Sequence, residues 1–177
     1  VTAEYSLLPT STATRCQRER SKVSGRTQEI QRLIGRALRS CVDLEKLGER
    51  TIIIDADVIQ ADGGTRCASI CGGFVALSIA INKLIKEGKL EQSPIIEPIA
   101  AVSAGIYDGE VILDLNYIED SHAQVDSNAV MTQSGKVIEF QTTAEGAPYD
   151  IEKMNEIVEL SKDAIKKIIS LYPNTEV

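Results

Sequence analysis

Apolar positions along the chain fall into six alternating or β-branched runs and three stretches of helical spacing. Residues 1–8 read as a strand, closed by Pro9. Between positions 26 and 41, Ile30, Leu33, Ile34, Ala37, Leu38 and Cys41 form the i, i+3, i+4, i+7, i+8 stripe of an amphipathic helix. Residues 51–60 (TIIIDADVIQ) are a second strand, and Ala61-Asp62-Gly63-Gly64 turns the chain. Residues 65–87 are then predicted to be a long helix, apolar almost all the way round and therefore deeply buried, with Gly88 as its stop. Strands are expected at 99–106, 110–117, 125–132 and 137–143, with turns at Asp108-Gly109 and Ser134-Gly135. Residues 150–171 close the chain as an amphipathic helix with Ile151, Met154, Ile157, Val158, Ile165, Ile168 and Ile169 on its apolar face.

The predicted order is strand–helix–strand–helix, a β-meander, and a closing helix. That is one α+β domain of helices packed against a sheet, spanning 1–177 without a linker or an internal repeat. A length of 177 residues, 43% hydrophobic and 25% charged, suits such a domain. No apolar run approaches the ~18 residues of a bilayer span, so no membrane partner is expected.

The net charge of −7 argues against nucleic acid only if it is evenly spread. Residues 1–50 carry +4 and the remainder −11. Within residues 15–39, eight bases (Arg15, Arg18, Arg20, Lys22, Arg26, Arg32, Arg36, Arg39) face two acids, a local charge of +6. Such a block is a candidate phosphate-binding surface, though a solvated Arg-rich helix face has the same composition. The four cysteines (Cys16, Cys41, Cys67, Cys71), with no charged-then-apolar leader before them, point to a reducing cytoplasm. They read as small buried thiols rather than zinc ligands, since the lone histidine, His122, is remote in sequence.

Three places could carry chemistry. Asp62-Gly63-Gly64-Thr65-Arg66 lies between a strand and a helix, where N–H groups, a helix dipole, a hydroxyl and a guanidinium would hold a phosphate. A Gly-Gly turn capped by Thr is also ordinary helix initiation. Arg26, after Ser24-Gly25, stands at a second helix mouth. The acids Glu119, Asp120 and Asp126 could supply the two carboxylates of a magnesium site. Six residues of extended strand span ~20 Å, and on a helix the two ends face different sides. Asp120 and Asp126 can therefore cooperate only if the chain reverses at 121–124, which a hairpin would do. Asp55 and Asp57, two apart on one strand face, read as structural, and His122 as a loop residue.

Several of these segments together resemble the ribonuclease PH family. They are Ser24-Gly25-Arg26-Thr27-Gln28-Glu29-Ile30-Gln31-Arg32-Leu33, Asp55-Ala56-Asp57-Val58-Ile59-Gln60-Ala61-Asp62-Gly63-Gly64-Thr65-Arg66, Leu113-Asp114-Leu115-Asn116-Tyr117-Ile118-Glu119-Asp120-Ser121 and Thr143-Ala144-Glu145-Gly146-Ala147-Pro148-Tyr149. The opening residues 1–9 resemble it too. The resemblance covers essentially the whole chain, in order. It implies a ribosomal-protein-S5-domain-2-like α+β fold, a two-layer sandwich of mixed sheet and helices built from βαβα modules.

It also implies an activity. The family uses inorganic phosphate, not water, to remove nucleotides from RNA 3′ ends, chiefly those of tRNA precursors, releasing nucleoside diphosphates. By resemblance, Arg26, Gly64, Thr65 and Arg66 take the phosphate co-substrate. Asp120 and Asp126 match the acidic pair that binds Mg2+ (or Mn2+) and supports catalysis, while Arg15, Arg18, Arg20 and Lys22 are expected to touch RNA for their charge. Family members assemble as hexamers, trimers of dimers. The family's domain has roughly a further quarter before Val1, so this chain is expected to lack it. Thr10 stands where arginine is usual, Ser127 for methionine, and Gln133 and Thr142 for glycines. A non-catalytic RNA-binding ring subunit is the alternative, and a magnesium-dependent phosphohydrolase a third reading.

Overall fold

The computed structural model describes residues 1–17, 19 and 22–173, and its chain divides into two compact units. In the first, strand β1 (Thr2–Leu7) pairs in parallel with β2 (Ile53–Val58), from Thr2 opposite Ile53 to Leu7 opposite Val58. Parallel partners need a crossover, and helix α1 (Gly25–Ser40) supplies it. Ser24 caps α1 by accepting the Thr27 N–H at 3.2 Å. The Glu19 carboxylate accepts the Ser24 N–H at 3.1 Å and the Thr27 hydroxyl at 3.2 Å. The bond from the Ser24 backbone holds Glu19 below the ordinary carboxylate range.

The predicted stripe of α1 is the buried one: Ile30, Leu33, Ile34, Ala37 and Leu38 are all within 2% of full burial. A one-turn helix, α2 (Leu44–Leu47), is an addition to the expected elements. Asp43 caps it through the N–H groups of Glu45 and Lys46, and Gly48, at φ +70°, ends it. Helix α3 (Thr65–Lys86) follows β2, completing a βαβα order, and stops at Gly88 in the left-handed region.

Two expectations for α3 need correction. It is not buried all round: Ile70, Phe74, Leu77 and Ile81 are fully buried, and Phe74 stacks on Tyr172, but Ala68, Gly72, Ala76, Ile79 and Lys83 line an exposed face. It is also long and apolar enough, by length and composition, to cross a membrane. Ser69, Ser78 and Asn82 interrupt the apolar run without undoing its average character. The buried half of α3 is core of its own unit, as in the central helix of a globular domain.

The second unit joins residues Asp62–Ala68 to Ile99–Leu171. Its sheet contains β3 (Ile99–Tyr107), β4 (Glu110–Leu113), β5 (Val125–Thr132) and β6 (Val137–Ala144), in the order β4-β3-β5-β6. The sheet is therefore not a simple meander, because β3 lies between β4 and β5. The β3–β4 hairpin turns at Asp108 and Gly109, both at positive φ (49° and 80°), the geometry that its Asp-Gly pair favours. One sheet face packs Ala104, Ile106 and Val125 on Ile157 of helix α5 (Ile151–Ser170). Of the residues predicted for the apolar face of α5, Ile157, Ile165 and Ile169 are buried, whereas Ile151 is 58% exposed.

The strand expected at 110–117 ends early, at Leu113. Asp114 takes φ +56°, and Asn116 then caps helix α4 (Tyr117–His122) in a reciprocal box with Glu119. That box outcompetes extension of the strand. Both units mix helix and sheet, so the α+β class stands.

Candidate active site

The turn before α3 is set by backbone geometry. The Gly64 carbonyl accepts the Ala68 N–H at 3.0 Å, so the helix starts at Thr65. Gly64 sits at φ +69°. At Gly63 a Cβ would lie 1.8 Å from the Leu115 carbonyl oxygen, so any side chain is excluded. The Asp62 carboxylate accepts the Gly63 N–H at 3.0 Å and the Tyr117 N–H at 2.6 Å. The Gly-Gly turn is thus pressed onto, and bonded to, the segment that begins α4. The N-terminal turn of a helix attracts anions through its N–H groups and dipole, and half-buried Thr65 and Arg66 stand at this one.

Strand alternation brings further residues to the same place. Ser103 on β3 is directly opposite Asn128 on β5, and Gly105 is opposite Asp126. Ala104, Ile106 and Val125 point to α5, so Ser103, Asn128 and Asp126 point to the other face. That face receives the start of α3. The Ser103 hydroxyl lies 3.1 Å from where a Gly64 Cβ would be, and the Cys67 thiol donates to the Asn128 side-chain oxygen at 3.3 Å. Asp126, Thr65 and Arg66 therefore belong to one unit and to one side of its sheet.

Asp120 is on α4, not in a hairpin. The reversal expected at 121–124 is made by the last turn of that helix, and the strands flanking it, β4 and β5, do not pair with each other. Asp120 and Asp126 thus stand on a short helix and on the strand after it. Glu119 is withdrawn from the acidic cluster, because its carboxylate accepts the Asn116 N–H at 2.9 Å. Among the described residues no group of three or more His, Cys, Asp or Glu converges as a metal cluster. Two carboxylates, such as Asp120 and Asp126 would offer, are a donor set that suits magnesium when water and phosphate oxygens complete it. His122 is the final residue of α4, with Nδ1 2.9 Å from the Ile118 carbonyl oxygen.

The first unit holds the rest of the predicted residues. Arg26 is exposed in the first turn of α1, and Arg15 and Lys22 are exposed in the loop before it. Arg18 and Arg20 lie outside the described residues. Asp55 and Asp57 line a cleft of about 540 Å³ with Glu4, Ser6 and Gln31. The Ser6 hydroxyl donates to Asp57 across the strand pair, which fits the structural reading of Asp57, and Gln31 donates to Glu4 at 2.7 Å. The four cysteines are free thiols.

The sequence reading gave no role to Asn116, Ser103 or Asn128, which lie around this turn, and placed Asp62 in the motif without naming its bonds. The spacing Asn116-x-x-Glu119 is a readable capping signature. No local pattern marks Ser103 or Asn128, whose position follows from strand register alone.

The chain is similar to known proteins over nearly its whole length. Residues 1–81 match the model of the "3' exoribonuclease family, domain 1", and residues 97–164 that of its domain 2. The ribonuclease PH of Neisseria gonorrhoeae (strain NCCP11945) is 58% identical over 176 residues, 98% of this chain and 73% of that protein. That of Crocosphaera subtropica is 57% identical over 171 residues, 97% of this chain and 71% of that protein. The crystal structure of rice (Oryza sativa) Rrp46 shares the fold, with a TM-score of 0.68 at 19% identity, over 96% of this chain and 71% of that one. The chain belongs to the ribonuclease PH family of phosphorolytic 3′→5′ exoribonucleases.

Proposed function

We propose that the family's reaction takes place in this chain at the mouth of α3, with inorganic phosphate as co-substrate and RNA 3′ ends, chiefly of tRNA precursors, as substrate. Gly64, Thr65 and Arg66 hold the phosphate, and Arg26 is assigned to it by family resemblance. A phosphate oxygen attacks the phosphorus of the last phosphodiester. The P–O3′ bond breaks, the electron pair leaves on O3′, which takes up a proton, and the terminal nucleotide departs as a diphosphate. Both reactants are anions, so the arginine and the helix end must offset their repulsion and hold them in line. Asp120 and Asp126 would hold Mg2+ or Mn2+, which when bound neutralises charge on the scissile phosphate.

One observation carries this reading: Asp126 lies on the sheet face that receives Gly64 and the first turn of α3. Arg15, Arg18, Arg20 and Lys22 belong to the +6 stretch and are assigned to RNA for its charge. We also assign a homohexamer, a trimer of dimers, a cytoplasmic location, and a single catalytic domain over 1–177; these rest on the family resemblance.

The test is an assay of a 3′-labelled tRNA precursor with and without inorganic phosphate. Shortening that requires phosphate and releases nucleoside diphosphates supports the assignment. Shortening in phosphate-free buffer, with nucleoside monophosphates, would mean hydrolysis. RNA bound but unshortened would mean a non-catalytic ring subunit.

A further inference from the structure

Ser103 is out of keeping with its surroundings. It is 3% exposed at the centre of β3, and its hydroxyl has no hydrogen-bond partner among the described residues. A buried hydroxyl without a partner costs free energy, and alanine would fill the same space without that cost. The hydroxyl is also directed. Its oxygen lies 3.1 Å from the Cβ position of Gly64, nearer than the serine's own Cβ at 3.7 Å, so it points at the turn that opens α3. Gly64 puts no side chain at that position, and a carboxylate oxygen of Asp114 lies 3.9 Å from it on another side.

We propose that Ser103 is a further phosphate-site residue, whose hydroxyl donates a hydrogen bond to the inorganic phosphate held at the mouth of α3. The proposal rests on the placement of phosphate at Thr65 and Arg66. It supplies the partner that the free protein withholds from this group. A hydroxyl beneath the turn adds a neutral donor from the sheet side. Asn128, directly across from Ser103, is engaged with Cys67, so the serine is the member of that cross-strand pair left for a ligand.

The test compares Ser103→Ala and Arg66→Gln with the parent chain. Phosphate affinity is read by thermal stabilisation on titration with inorganic phosphate, which needs no turnover, and by the KM for phosphate in RNA shortening. For Ser103→Ala, loss of a hydrogen bond to a charged ligand should weaken phosphate binding about tenfold or more. The KM for RNA and kcat should stay within about twofold, and the Tm of the phosphate-free protein should hold or rise. If Arg66→Gln weakens phosphate and Ser103→Ala does not, the Ser103 proposal is overturned alone. If neither variant does, the phosphate placement itself fails. A fall in Tm with kcat and both KM values shifted together would make the serine structural and overturn its role.

Discussion

The carboxylate of Asp62 accepts the backbone N–H of Tyr117 at 2.6 Å, joining the turn before α3 to the first residue of α4 across 55 positions of sequence. It bonds the turn proposed to hold phosphate directly to the element that carries Asp120. Asp62→Ala removes the acceptor for both Tyr117 and Gly63. Asp62 is exposed, so the cost in stability should be only about 1 kcal/mol, measured by urea denaturation. The rate of phosphorolysis should fall further than that, since two parts of the site lose their common anchor. Asp62→Asn keeps a side-chain oxygen and should recover most of the rate. Equal rates for all three proteins would show that the anchor has no part in catalysis.

Asp126→Asn tests the acidic pair. Asp126 is half-buried on the face opposite α5, away from the Ala104–Ile106–Val125–Ile157 core, so the change should leave Tm within a few degrees. Removing one preorganised charge from a phosphoryl-transfer site should lower kcat by about a hundredfold or more. Asp120→Asn should behave alike. A variant of either residue that retains parental activity would exclude it from the chemistry.

Most of the fold was legible, because the elements with strong periodicity, α1, α3, α5, β5 and β6, begin and end within a residue or two of their patterns. The errors between residues 110 and 124 share a cause. Residues 110–117 carry a β-like pattern, yet the Asn116–Glu119 capping box and the left-handed Asp114 end the strand four residues early. That local competition also moved Asp120 from a hairpin onto a helix. The mouth of α3 was legible from Gly63-Gly64-Thr65-Arg66. Its support was not, since the approach of Gly63 to Leu115 and of Ser103 to Gly64 is set by long-range register.

Ser127 and Thr142 face each other across β5 and β6, and the Ser127 hydroxyl donates to Thr142 at 2.8 Å. The Thr142 hydroxyl also bonds to that of Tyr149. The three hydroxyls form a connected polar chain, which stabilises only while complete. Ser127→Ala should cost about 1 kcal/mol or more, and Thr142→Val a similar amount. The double variant should be less destabilised than the two single changes added together, by about 1 kcal/mol. Strict additivity in urea unfolding would mean that the two residues are not coupled.

Cys41 gives a pH dependence with a definite sign. It is 2% exposed at the end of α1, its thiol donates to the Leu38 carbonyl at 3.0 Å, and burial pushes its pKa from 9.0 to about 12. The folded state therefore favours the neutral thiol. Its contribution to stability is fully present below pH 9 and is lost as the pH rises toward 12. At pH 8 the buried group is a thiolate in only about one molecule in ten thousand, and the thiolate is the nucleophile. Iodoacetamide, with the products located by mass spectrometry, should label half-buried Cys16 well before Cys41 in the native protein. The two should react at similar rates in urea. Equal rates in the native state would mean that the end of α1 opens far more readily than its burial implies.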